Sequence, residues 1–154
     1  ISLRFYPKPD LPHGTIENTT IPGPGGVIPV RIIRPVAGEP TGTLVFFHGG
    51  GFILGDLDSH EAHAIRLANR AGVVVVHVDY RLAPEHRFPA ALDDSATALQ
   101  WVADNAGKLN INAQRLALEF KAQRGATSAS RSARASPRSA ASTAAGVPFT
   151  VASA

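Results

Sequence analysis

The stretch Leu44-Val45-Phe46-Phe47-His48-Gly49-Gly50-Gly51-Phe52-Ile53-Leu54-Gly55 decides how the rest of this 154-residue chain is read. Its first four residues are apolar and suit a short buried strand. His48 and three consecutive glycines follow directly. Glycines at the end of a strand let the backbone turn where a Cβ would clash, and they leave N–H groups free to face a ligand. Preorganised backbone donors of that kind stabilise the negative oxygen of a tetrahedral acyl-transfer intermediate. Losing one such donor raises the barrier by about 2.7–4 kcal/mol. The stretch therefore points to ester chemistry.

Working outward, Val27–Ile33 is a strand candidate closed by Pro35, and Ala37–Gly42 is a turn before the strand Thr43–Phe47. The residues from Ile1 to Gly26 are rich in Pro, Gly and Thr. They predict an irregular lead-in with an edge strand near Thr15–Thr20. On the other side, Asp58 or Ser59 is placed to cap a helix running to Ala71, with Gly72 at its C′ position. Val73–Val78 is nearly all valine and predicts a central strand buried on both faces. Asp79–Arg87 is a polar connection interrupted by proline, and Pro89 suits a first helical turn. Leu92, Ala96, Leu99, Val102, Ala103 and Ala106 recur at helical spacing, with Gly107 as the stop. Arg115–Leu118 begins another strand. Strands and helices in alternation imply βαβ units, hence an α/β fold with a mostly parallel sheet and flanking helices.

The totals narrow the classes. The apolar fraction of 44% is enough for a core. No run of apolar residues is long enough to span a membrane. No basic-then-apolar leader precedes the fold, so the expected location is cytoplasmic. The chain starts at Ile1 and contains no methionine, which suggests an incomplete N-terminus. It has no cysteine, so disulfides and thiolate metal sites are excluded. Charge is divided unevenly. Residues 1–118 carry ten Lys/Arg against eleven Asp/Glu, whereas residues 119–154 carry five against Glu119 alone.

Two blocks together carry a family resemblance. His48-Gly49-Gly50-Gly51-Phe52, followed by Gly55-Asp56, is one. Asp79-Tyr80-Arg81-Leu82-Ala83-Pro84-Glu85-His86 with Phe88-Pro89-Ala90-Ala91 and Asp93-Asp94 is the other. In this order around a valine strand they resemble the signatures of the hormone-sensitive-lipase-like α/β-hydrolases, also called bacterial lipase family IV. The resemblance runs from Arg31 to Leu118 and covers only the N-terminal half of that fold. It implies a serine carboxylesterase or lipase acting on short-chain carboxylic esters, with a small-molecule ester as substrate and no metal or organic cofactor. It also implies that the amides of Gly49, Gly50 and Gly51 hold the oxyanion, and leaves open which two donate. His48 orders the loop rather than acting as a base. Phe52 and Leu54 help to line the acyl pocket. Arg81, Glu85, Asp93 and Asp94 pair locally as scaffold, each pair contributing about 0–1 kcal/mol. His60 and His63 share a helical face, but nothing supplies the third ligand that a metal needs.

The resemblance breaks at the triad. The family passes from a strand like Arg115–Leu118 into Gly-Asp-Ser-Ala-Gly, the nucleophile elbow. This chain continues Glu119-Phe120-Lys121-Ala122-Gln123-Arg124-Gly125, and it contains no Gly-x-Ser-x-Gly. Asp58, Ser59 and His60 are adjacent and do not stack in nucleophile–base–acid order. The expected organisation is a partial hydrolase domain over 1–118, truncated before the elbow, and a basic low-complexity tail over 119–154. The tail is expected to be disordered and out of frame. Codons for Gln123–Ser128 regrouped by a frameshift can spell Ala-Gly-Gly-Asn-Leu, the residues that follow the serine in the family. The expected result is an inactive fragment. The alternative is a non-enzymatic module whose tail cations Lys121, Arg124, Arg131, Arg134 and Arg138 bind nucleic acid or another acidic surface. The tail has no interleaved aromatics, so nucleic-acid binding is not the expected role, and salt-dependent DNA binding separates the two.

Overall fold

The runs rich in valine, isoleucine and phenylalanine form strands of one sheet, and the two stretches of helical spacing cover its opposite faces. The structure is a computed structural model and describes residues 10–111, 113–120 and 150–151. Strands β1 (Ile16–Gly23), β2 (Gly26–Ile33), β3 (Thr43–Phe47), β4 (Val74–Val78), β5 (Leu116–Phe120) and β6 (Thr150–Val151) lie in the order β1-β2-β4-β3-β5-β6. The pairings β3/β4, β3/β5 and β5/β6 are parallel, while β1/β2 and β2/β4 are antiparallel. The chain adopts the expected α/β class with flanking helices, but its sheet is mixed rather than mostly parallel, because the β1–β2 hairpin adds two antiparallel pairings to the parallel β4-β3-β5-β6 run.

The lead-in is more regular than expected. From Ile16 its residues pair with β2 in register from Ile16↔Ile33 to Gly23↔Gly26, making a hairpin with Pro24-Gly25 as its two-residue turn. That dipeptide is a turn signal. A Cβ on Gly25 would run into the Arg81 guanidinium, so the turn packs closely on the Asp79–Arg87 connection.

Helix α1 (Glu61–Ala71) links β3 to β4. Its C-cap Gly72 is left-handed at φ 61°, as expected. Its start differs from expectation: the N-cap residue is His60, with no side-chain cap bond. Asp56 and Ser59 bond each other one turn earlier instead, Ser59 N–H to Asp56 Oδ1 at 2.7 Å and Asp56 N–H to Ser59 Oγ at 2.9 Å.

Helix α2 (Ala90–Asp104) follows Pro89, but its buried face is rotated from the expected stripe. Asp94, Ser95, Ala98 and Val102 are buried, and Leu92 and Ala96 are exposed. Periodicity in apolar residues missed this because two of the buried positions are polar and satisfied. Asp94 is held by Arg81, and Ser95 Oγ donates to the Ala91 carbonyl at 2.7 Å. Gly107 is not the stop. It lies inside a short helix α3 (Ala106–Leu109), which ends at left-handed Asn110.

Pleat alternation divides the core. Val45 and Phe47 of β3, Val76 and Val78 of β4, and Ile28 and Val30 of β2 pack with Ala98 and Val102 of α2. Leu44, Phe46, Val75 and Ile33 face the other way, against Ala64, Ile65 and Ala68 of α1. The valine strand β4 is fully buried between β2 and β3, as its composition implied. Strand β5 runs two residues past the expected boundary at Leu118, and Thr150–Val151 of the tail pair with it. The remainder of the tail lies outside the described residues.

Candidate active site

The glycine loop leaves the C-terminal end of β3. Gly50 sits at φ 136° and Gly51 at φ 64°, conformations that L side chains rarely adopt. A Cβ on Gly50 would also collide with the Leu54 carbonyl. The Gly50 carbonyl accepts from Leu54 N–H at 3.0 Å and Ile53 N–H at 3.2 Å, which closes the loop on itself. Among the described residues, no acceptor takes the N–H of Gly49, Gly50 or Gly51. Phe52 is also at positive φ, 63°, an uncommon state for a side chain this large.

The Asp79–Arg87 connection holds the loop at both ends. Tyr80 Oη donates to the His48 carbonyl at 2.6 Å, and Ala83 N–H donates to the Phe52 carbonyl at 2.8 Å. The connection itself is anchored to α2 by Arg81. Its Nε and Nη2 donate to the two Asp94 oxygens at 2.9 and 2.8 Å, and its N–H donates to Oδ2 at 3.0 Å. The bonds it donates to Asp94 hold the guanidinium pKa above its ordinary value. Of the four charged residues expected to pair locally, only Arg81 and Asp94 do so among the described residues; Glu85 and Asp93 are exposed.

His48 is fully buried. Its Nδ1 lies 2.9 Å from the Gly49 carbonyl, and its ring stacks on Tyr80 at 4.6 Å and on His60 at 5.2 Å. Burial lowers its pKa, opposed by the Gly49 bond and by Asp56. His48 thus lies inside the loop's own framework. Asp79 Oδ1 stands 3.8 Å from His48 Nε2. Burial, then the neighbouring Asp56, push the Asp79 carboxyl up to about 6. Asp56 itself is also raised by burial, but its bonds from Ser59 bring it below the usual carboxylate value. Burial pushes the Tyr80 phenol up to about 12, so it stays a donor.

Beneath the loop lies a group of histidines that apolar patterning did not reveal. His77 is the fourth residue of β4, completely buried, and neither ring nitrogen has a partner among the described residues. Phe46 sits at the centre, its ring 4.8 Å from His77, 5.3 Å from His63 and 6.4 Å from His60. His60 and His63 do share a face, as expected. His63 Nε2 faces Glu119 Oε1 of β5 at 3.5 Å. Among the described residues no group of three or more side chains is arranged to hold a metal. Ser59 Oγ lies 3.0 Å from His60 Nδ1, but Asp58 is paired with Arg31 at 2.9 Å, so these neighbours make no triad. Arg31 also bonds the buried Glu61.

Phe120 closes the other side of the loop. Its ring packs on Phe47 at 5.3 Å and on Phe52 at 5.8 Å. Phe52, Ile53 and Leu54 remain substantially exposed as an apolar lip. No helix among the described residues is long and apolar enough to cross a membrane.

A parallel-centred sheet with a free-amide glycine loop at a strand's C-terminal end defines an α/β fold. A family model described as the alpha/beta hydrolase fold matches residues 44–119. The carboxylic ester hydrolase LipN of Mycobacterium tuberculosis is 46% identical over 100 residues, covering 65% of this chain and 26% of the relative. The ethyl acetate hydrolase of Pseudomonas putida is 42% identical over 114 residues, covering 72% and 36%. The solved hyperthermophilic esterase of Pyrobaculum calidifontis superposes with a TM-score of 0.68 at 50% identity, over 71% of this chain and 35% of that one. The chain belongs to the hormone-sensitive-lipase-like α/β-hydrolases. It spans roughly a quarter to two fifths of the length of the curated relatives it matches.

Proposed function

We propose that this chain presents the oxyanion loop of a carboxylic-ester hydrolase for small acyl esters. The observation that carries this is the set of unspent amides at Gly49, Gly50 and Gly51, held by His48, Tyr80 and Ala83. An ester carbonyl placed against them would develop its negative charge toward fixed donors that need no reorganisation. Phe52 and Leu54 would take the acyl chain on their apolar lip.

The reaction also needs a serine to attack, a histidine to move its proton and an acid to orient that histidine. The 154 residues contain no Gly-x-Ser-x-Gly, and where the elbow belongs β5 ends in Glu119 and Phe120. The chain by itself is therefore proposed to be catalytically silent. The segment beyond Phe120 is proposed to be the family's sequence in a shifted frame, which the nucleotide sequence of codons 115–130 tests directly.

Two assays test the reading. Purified chain should hydrolyse p-nitrophenyl acetate no faster than an inert protein, and saturable turnover blocked by a phosphonate would overturn the inactivity. A chimera joining residues up to Leu118 to the elbow and remainder of the Pyrobaculum calidifontis esterase should hydrolyse the same ester. In it, disrupting the loop with Gly50→Ala should lower kcat by about 10²–10³-fold. A folded chimera indifferent to that substitution would remove the glycine loop from the mechanism.

A further inference from the structure

The contact between the buried His48 and the half-buried Asp79 is one proton short. The Gly49 carbonyl can only accept, so in its bond to His48 the Nδ1 carries the hydrogen. In the neutral ring Nε2 is then a bare lone pair. It is buried and has no hydrogen-bond partner among the described residues. The atom facing it is Asp79 Oδ1, 3.8 Å away, which when ionised is also only an acceptor. Two acceptors face each other across a distance too long for a hydrogen bond.

We propose that His48 Nε2 and Asp79 Oδ1 form a proton-binding latch on the glycine loop. One proton taken from solvent is held between them and draws the carboxyl onto the ring. His48 carries the loop's first peptide, whose carbonyl is already held by Tyr80. Asp79 starts the connection that grips both loop ends. Proton uptake thus tightens the loop at mildly acidic pH and releases it at higher pH.

The surroundings favour one shared proton over a charged imidazolium. His48 is faced by His60 of α1 and His77 of β4, at 5.2 and 5.8 Å, and by the Tyr80 ring. An added positive charge there is poorly solvated. Asp79 is faced by Asp56 and Asp58, which oppose its ionisation, and by Arg31 of β2, which favours it. Burial dominates for both groups, lowering the imidazole and raising the carboxyl to about 6. With the open loop returning Asp79 to its ordinary 3.8, linkage gives about tenfold tighter closure at about pH 5.

The experiment is hydrogen exchange by mass spectrometry on the chain at about pH 7.5 and pH 5. Rates are corrected for intrinsic exchange. Protection of the Ile53 and Leu54 amides, which donate to the Gly50 carbonyl and close the loop, should rise about tenfold on acidification relative to β4. In Asp79→Asn the amide can donate to Nε2 without an added proton, so the loop should be protected at both pH values. In Asp79→Ala it should be unprotected at both. Exchange at the His48 ring C2–H should show no ordinary histidine titration, a readout that needs no variant. A loop whose protection does not rise with acid, or whose pH response survives in Asp79→Asn, would overturn the latch. So would a His48 that titrates at the ordinary value. None of these readouts involves ester hydrolysis, so the latch and the esterase reading stand or fall separately.

Discussion

The two faces of the sheet are built from alternate residues of the same strands and differ in chemistry. Phe47 points to the α2 face, where Ile21, Ile28, Val30, Val45, Val76 and Val78 surround it. The one hydroxyl in that cluster, on Tyr80, has its bond to the His48 carbonyl. Phe46 points to the α1 face and is ringed by His60, His63 and His77, with the Arg31–Glu61 pair close by. One face holds chiefly by apolar burial, with the Arg81–Asp94 pair as its buried charge. The other places the His48 and His77 imidazoles in the interior, where burial disfavours an added proton. The face that carries the glycine loop's histidine is therefore the one whose stability should depend on pH.

The largest test compares neighbouring phenylalanines. Phe46→Ala and Phe47→Ala should each destabilise the fold by about 3–5 kcal/mol, measured by urea unfolding at neutral pH. Only Phe46→Ala should also flatten the acid dependence, because it opens the space around His77 to solvent. Equal pH profiles in the two variants would break the comparison.

Acidification of the unaltered chain is the next effect. The pKa of His77 is well below its ordinary value because of burial, and that of His48 is lowered for the same reason. Above the ordinary value of 6.5 both states are neutral, and neither group makes stability depend on pH. Below it the unfolded chain takes up protons that the folded chain refuses, so stability falls. Each group contributes about 1.4 kcal/mol per pH unit. Asp79 runs the other way: raised to about 6, it binds a proton in the folded state between there and 3.8, and this offsets one histidine. Urea midpoints at about pH 7.5, 6 and 5 should reveal a net loss near one proton's slope. His77→Val should remove most of it, and an unchanged slope would show that His77 is not the sensitive group.

The smallest effect sharpens the boundary between the faces. Tyr80→Phe keeps the ring that packs on Phe47 and removes the bond to the His48 carbonyl. It should lower stability by only about 1 kcal/mol, while speeding exchange of the Ile53 and Leu54 amides that close the loop on the Gly50 carbonyl. A large global loss with no local change would make Tyr80 a core residue rather than a support of the loop.

Much of the fold was legible. The strand Thr43–Phe47 has its expected ends, and Gly72 is left-handed where a C′ glycine belongs. These features are set by local sterics and by runs too apolar to be exposed. The face of α2 was not legible, since Asp94 is buried only because Arg81 of another segment reaches it. The histidine cluster was missed for a similar reason: His77 looked like one polar interruption in a valine run. The one usable signal was its parity, which puts it on the same side of β4 as Val75 and next to Phe46 in the parallel register.

The sequence by itself determined the order of strands and helices, the family and the presence of a glycine loop after β3. All of these depend on residue type and spacing along the chain. The tertiary structure alone decided which amides are unspent, what pins the loop and which titratable groups meet beneath it. The Tyr80–His48 bond spans 32 residues and the Arg31–Glu61 bond spans 30. Contacts of that separation arise only when the pleat sorts alternate residues onto two faces and the crossover helix α1 brings its own side chains down onto one of them.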